Sequence, residues 1–127
     1  MNRLHLATWN INSLRLRIGL LATLAADMNP DVICLQEVAV GFPAIQDGCS
    51  VDGVAVLSRA FPGYSAHFAE GVDVPDGTGG RSLFGNLTLS RLPVGQVFRH
   101  SLPRPPGHGA SSMPRVCLET VVQASMG

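Results

Sequence analysis

At 127 residues the chain falls within the range of a single domain and is too short for two independent cores. Nine basic residues, all arginine, balance nine acidic ones, and the halves divided after residue 63 carry −1 and +1, so no charged tail attracts nucleic acid over long range, although a local groove is still allowed. A hydrophobic share of 46% excludes a disordered chain, and Arg, Asp, Asn or Gly interrupts every apolar stretch before the roughly 18 residues of a membrane span.

The first element is a strand: Leu4, Leu6 and Thr8 alternate with His5, Ala7 and Trp9. Leu14, Ile18, Leu21, Ala25 and Met28 then recur at helical spacing, with Ser13 available as N-cap and Asn29-Pro30 as the stop. Ile18 to Ala26, preceded by Arg3, Arg15 and Arg17, also has the look of a secretory signal core; the helical stripe and the upstream strand favour a helix. Val32 to Leu35 is an unbroken apolar run, the pattern of a strand covered on both faces, and Gln36-Glu37 returns the chain to polar surface. Strand, helix, strand follow in order, and the two strands are expected to be parallel neighbours.

A second helix is expected over Val51 to Ala60, closed by the Pro62-Gly63 turn, and a strand over Tyr64 to Ala69. Residues 71 to 81, with four Gly and one Pro, read as an exposed loop. Strand alternation returns through Leu83, Leu87 and Leu89, and Arg91-Leu92-Pro93 is expected to turn it into an antiparallel hairpin with Val94 to His100. A Pro-rich loop from 103 to 114 precedes a last strand over Val116 to Val122. Cys34, Cys49 and Cys117 share no metal-ligand or disulfide spacing, which fits a reducing compartment and a cytoplasmic location.

Parallel α/β sheets bind ligands beyond the carboxyl ends of their strands, which singles out Asn10, Asn12 and Glu37. A carboxylate beside apolar strands needs a partner, and a hard cation supplies one; the alternatives are a solvated loop for Glu37 and a turn cap for Asn10. Arg115 opens the last strand after a loop and can reach a phosphate oxygen, or is an ordinary surface arginine; Asn86 faces either a site or solvent. Trp9 is read as a core anchor, Arg15 and Arg17 as the polar helix face, and His100 and His108 lack metal-site spacing.

The stretches ATWNINSLRLR (7 to 17) and PDVICLQE (30 to 37) resemble the first two signature motifs of the endonuclease/exonuclease/phosphatase family, which includes exonuclease III, deoxyribonuclease I and neutral sphingomyelinases. LFGNLTLSRLPV (83 to 94) resembles the family's GN, LSR and Pro strand and turn, and PRVCLE (114 to 119) the strand after the next loop. The resemblance implies an α/β fold, the N-terminal part of a deoxyribonuclease I-like four-layer sandwich, and Mg²⁺- or Mn²⁺-dependent hydrolysis of a phosphoester, DNA among the candidates. By position it implies Asn10 and Glu37 as catalytic metal ligands; Asn12, expected to support the loop, and the candidates Asn86 and Arg115 are assigned to the substrate side. NINSLR is similar to exonuclease III-like repair enzymes, whereas LFGNLTLSRLPV is similar to less specialised bacterial members.

The family's later motifs are a His in a THL-like context, an Asp-x-Asn pair, a further Asp and a terminal Asp-His pair. None occurs in these residues, and the similarity ends near Gln123. The expectation is therefore one incomplete domain over residues 1 to 127, inactive alone. A rival expectation is a noncatalytic half that pairs with a complementary segment or self-associates. The apolar face expected to lie uncovered is that of Leu83, Leu87 and Leu89 with Val116 to Val122.

Overall fold

The computed structural model describes residues 3–11, 14–43, 45–46, 50–103 and 113–124; the expected N-cap Ser13 and the candidates Asn12 and His108 lie outside them. Among the described residues, six strands and two helices follow in the order β1 (Leu6–Asn10), α1 (Leu14–Met28), β2 (Val32–Val40), α2 (Gly53–Ala60), β3 (Ser65–Pro75), β4 (Arg81–Ser90), β5 (Val94–Ser101) and β6 (Val116–Val122). A four-stranded sheet has the order β1-β2-β4-β3, and β5-β6 form a second sheet. β1 and β2 are parallel, as the strand-helix-strand pattern requires, while β4 runs antiparallel to both of its neighbours.

One face of the larger sheet carries Ile33, Leu35 and Val38 of β2 and Leu87 and Leu89 of β4. The helices cover it with Leu14, Ile18, Leu21 and Ala25 of α1 and Val54 and Leu57 of α2, and Trp9 packs half-buried at its border as a core anchor. Met28, the last member of the predicted stripe, is 56% exposed because α1 ends there. The helix is closed by Asn29, whose φ of 47° and N–H bond to the Ala25 carbonyl at 2.8 Å form a left-handed cap. α2 starts two residues later than expected: Asp52 is its cap, accepting from the Ala55 N–H at 3.0 Å.

The other face of the larger sheet meets the smaller one, where Ala69, Val72, Phe84 and Val116 are buried. Two bonds cross between them: Asn86 Nδ2 donates to the Val116 carbonyl at 2.9 Å and Arg99 Nε to the Phe68 carbonyl at 2.8 Å. The second sheet covers β3 and β4 but not β1, leaving Leu4 and Leu6 exposed at 47% and 61%. The expected uncovered face is thus corrected. Leu87 and Leu89 are fully buried under the helices, and exposed apolar residues lie instead at Leu4 and Leu6 and, among others, at Phe98 and Val121 of the smaller sheet.

Two further expectations fail for physical reasons. The segment 71 to 81 is strand as far as Pro75, because Val72 and Val74 continue the alternation of β3; only 76 to 80 turn. There Asp76 Oδ1 accepts from the Thr78 N–H at 2.7 Å, the Thr78 hydroxyl at 2.8 Å and the Gly80 N–H at 3.0 Å, while Gly77 and Gly79 take the positive φ the turn needs. β4 and β5 are not a hairpin: Arg91-Leu92-Pro93 is a corner that carries the chain from one sheet to the other.

Candidate functional site

The central strand β4 is flanked by two irregularities at almost the same level. On the β2 side, Leu35 pairs with Leu87 and Val38 with Gly85, so Gln36 and Glu37 together oppose Asn86. This one-residue bulge puts Glu37 at φ +61°, a left-handed conformation that a glutamate rarely adopts. On the β3 side, Glu70 pairs with Gly85 and Val72 with Phe84, which leaves Gly71 as the extra residue. Glu37 was expected just past the end of its strand. It lies inside β2, because a bulge interrupts the alternation without ending the ladder.

Between the bulges opens a small cleft of about 30 Å³, room for about two water-sized spheres. Glu37 and Asn86 line it from the larger sheet, and Pro114, Arg115 and Val116 from the lead into β6. Glu37 is half-buried, and Arg115 is exposed at the rim. Among the described residues the Arg115 guanidinium makes no hydrogen bond or ion pair. The Asn86 amide is committed to the Val116 carbonyl, so it holds β6 against β4.

Asn10 ends β1 in register with Gln36, one residue before Glu37, and does not line the cleft. Gln36 ties these strands together, donating from Nε2 to the Thr8 hydroxyl at 3.0 Å and to the Cys34 carbonyl at 3.2 Å. The structure therefore brings Glu37, Asn86 and Arg115 to one cleft and sets Asn10 beside it. Sequence reading missed Gly71 as part of this site, because its role depends on the backbone of Pro114 and Arg115, far off in the chain.

The donors are hard oxygens, the type that suits Mg²⁺ or Mn²⁺, with one carboxylate in the cleft. Among the described residues no three His, Cys, Asp or Glu side chains converge on a metal position. The cleft is nonetheless lined by residues of both signs, and a carboxylate suits a cation as a guanidinium suits an anion. Of the other titratable groups, His67 stands on β3 away from the cleft. Its pKa is lowered by burial and then by Arg99, and its Nε2 lies 3.0 Å from the Ser65 hydroxyl oxygen. His100 pairs instead with Glu119 at 3.0 Å on the smaller sheet.

Helices on one side of a mixed sheet, a second sheet on the other and a bulge that carries a glutamate within β2 define part of a deoxyribonuclease I-like α/β sandwich. The chain belongs to the Endonuclease/Exonuclease/phosphatase family, whose pattern matches residues 7–125. No curated protein matches it. Among solved structures it is similar to an endonuclease/exonuclease/phosphatase from Beutenbergia cavernae, with a TM-score of 0.72 and 27% identity over 95% of this chain and 34% of that one. It shares its fold with the 3' phosphatase NExo from Neisseria bound to product DNA hairpin, at a TM-score of 0.53 and 23% identity over 94% of this chain and 38% of that one. It also shares it with a mannosyl-6-phosphatase from Bacteroides thetaiotaomicron, at 0.60 and 16% over 91% and 44%. The chain thus spans 34% to 44% of the length of these structures.

Proposed function

We propose that this chain carries the cation- and phosphate-binding part of a divalent-metal-dependent phosphoester hydrolase. The observation that carries the reading is the bulge at Glu37, which holds a non-glycine residue at φ +61° with its carboxylate in the Arg115 cleft. Such a conformation costs about 1 kcal/mol or more and persists where surrounding structure enforces it, which is common at functional sites. Glu37 is the ligand for Mg²⁺ or Mn²⁺, Asn10 steadies the cation from the neighbouring strand end, and Arg115 donates to a phosphate oxygen. A bound divalent cation neutralises the charge that builds on phosphate during displacement.

Activation of the attacking water needs a further acid-base group, typically about 10²- to 10⁴-fold in rate, and among the described residues none joins Glu37 in the cleft. The 127 residues alone are therefore expected to give no steady turnover on DNA or simple phosphodiesters. The named relatives act on a DNA 3' end and on a sugar phosphate, so phosphoester chemistry is the common ground. The free thiols Cys34 and Cys117 suit a reducing, cytoplasmic setting.

Titration with Mn²⁺ tests the reading. With few protein ligands a millimolar Kd, roughly 4 kcal/mol, is expected. The amide signals of Asn10, Ile11, Gln36 and Glu37 should broaden first, and Glu37→Gln should abolish the effect. Broadening spread over Asp52, Asp73 and Asp76 with no preference for residue 37 would overturn it.

A second reading, that the chain pairs with a complementary segment or with itself, is favoured by the exposure of Leu4 and Leu6 beside β1, an edge strand of the sheet among the described residues. Sedimentation should then report association that Leu6→Lys weakens. A monodisperse monomer with a cooperative melting transition would count against it.

A further inference from the structure

Resting on the phosphate-binding reading of Arg115, we infer that Gly71 is a positioning residue for that arginine. Its missing side chain admits the backbone of Pro114 and Arg115 against β3 and so fixes the backbone of residue 115 at the cleft that Glu37 also lines. The requirement at residue 71 is spatial. Gly71 is not one of the glycines with positive φ, so its backbone conformation is open to other residues. A Cβ placed there would lie 2.6 Å from the Pro114 carbonyl oxygen, 3.2 Å from the Arg115 Cα and 3.3 Å from the Arg115 carbonyl carbon. All three atoms are backbone, so no rotamer change relieves the contact; the segment leading into β6 must retreat from the cleft.

The far side of that segment is held as well. Asn86 Nδ2 grips the Val116 carbonyl at 2.9 Å, and the Leu102 N–H bonds the Arg115 carbonyl at 3.1 Å. Arg115 is thus clamped between a bare stretch of β3 and the amide of β4, while its exposed side chain stays open to a ligand. The two bulges divide the work. The one in β2 aims Glu37, the one in β3 sets Arg115, and Asn86 between them acts on phosphate through the backbone of residue 116. A substitution at residue 71 should therefore separate the two halves of the site, weakening anion binding and leaving cation binding intact.

The test measures two ligands on the 127-residue chain and its Gly71→Ala, Arg115→Ala and Glu37→Gln variants. Inorganic phosphate is followed by the amide and side-chain signals of Arg115, and Mn²⁺ by broadening at Gln36 and Glu37. Gly71→Ala should weaken phosphate by about tenfold, the scale of losing a charge-assisted hydrogen bond, to the level of Arg115→Ala. Its Mn²⁺ response should match the wild type. A general loss of structure lowers both ligands together, so the split marks positioning.

Phosphate affinity in folded Gly71→Ala within about twofold of wild type, on that same tenfold scale, would overturn the inference and leave Glu37's role standing. So would a wild-type chain that takes Mn²⁺ at Glu37 but shows no phosphate response at Arg115. Mn²⁺ that ignores residue 37 overturns the functional reading instead. If Gly71→Ala alone does not fold, Gly71→Ala with Pro114→Gly lets the lead-in backbone yield to the methyl. The same split is expected in that double variant, and its absence overturns the inference.

Discussion

Arg91 bonds to two other segments with one side chain and packs over a third. Its Nη1 donates to Asn29 Oδ1 at 2.6 Å, and its Nη2 to the Asn29 carbonyl at 3.0 Å and to Asp31 Oδ1 at 2.9 Å. Its guanidinium carbon stands 5.7 Å from the centre of the Tyr64 ring. The group thus pins the corner after β4 to the close of α1, the start of β2 and the turn before β3. Consider Arg91→Ala. The two bonds to Asn29 contribute about 1 kcal/mol each and the ring contact about 0.5. The Asp31 pair, with side chains 32% and 23% exposed, is screened by solvent and adds little. Water recovers part of this at a partly open site, so a net loss of about 2 kcal/mol is expected. Against a domain stability of 5–15 kcal/mol that is a large fraction, and with a urea slope of about 1.5 kcal/mol/M it lowers the midpoint by roughly 1.3 M. Trp9, the single tryptophan, sits half-buried against the core and reports the transition by fluorescence. Arg91→Lys keeps the charge but loses the planar fork, and should recover less than half of the loss. A change under about 0.5 kcal/mol for the alanine variant, within the range of ordinary surface substitutions, would refute the reasoning.

Three further outcomes are expected. Gly85→Ala should cost about 3 kcal/mol in urea unfolding, because a Cβ there would collide with the Ala69 carbonyl and come within 2.8 Å of the Glu70 Cα in the heart of the sheet; a neutral result would mean that β3 and β4 do not pair in this register. Glu37→Gly should raise stability by about 0.5 kcal/mol by relieving the left-handed strain while removing the Mn²⁺ response, a trade that calorimetry and titration read side by side. Stability should also fall in two stages on acidification. His67, lowered from 6.5 chiefly by burial and then by Arg99, binds its proton more readily unfolded, so stability drops as pH falls below 6.5 through the folded value. Asp31, lowered from 3.8 chiefly by the His5 backbone N–H and also by Arg91, adds a second loss below 3.8. His67→Gln should remove the first stage, and a profile unchanged by that substitution would contradict the assignment.

The parts legible in the sequence were those with uninterrupted period. β1, α1 and the parallel β2 follow from alternation and a helical stripe, and β6 from the alternation of Val116, Leu118, Thr120 and Val122. What escaped was set by pairing. Gln36-Glu37 has the composition of a strand end, yet β4 continues to pair beyond it, because a bulge absorbs two residues against one. Gly71, Asp73 and Pro75 have loop composition but lie on an edge strand, where a proline and charged residues are tolerated. The corner at Arg91 to Pro93 has hairpin composition, and only the second sheet decides where β5 goes. At the site, Glu37 was named from its place after an apolar strand and then from family resemblance, and Arg115 from its place opening the last strand, whereas Gly71 matters through a neighbour 43 positions away in the chain, which no local pattern encodes.

The strand order β1-β2-β4-β3 has a consequence for how the chain is made. When synthesis has reached Pro75, β1, β2 and β3 all exist, but the strand that joins the last two does not. β2 then offers one bare edge and β3 two, and the sheet closes only when Arg81–Ser90 is threaded between them. That insertion pairs residues 43 to 58 positions apart, from Val40 with Leu83 to Val32 with Ser90, and is therefore expected to be the slow, long-range step of folding. During this interval the nascent chain is most open to a wrong strand, and a holding chaperone would have the most to bind.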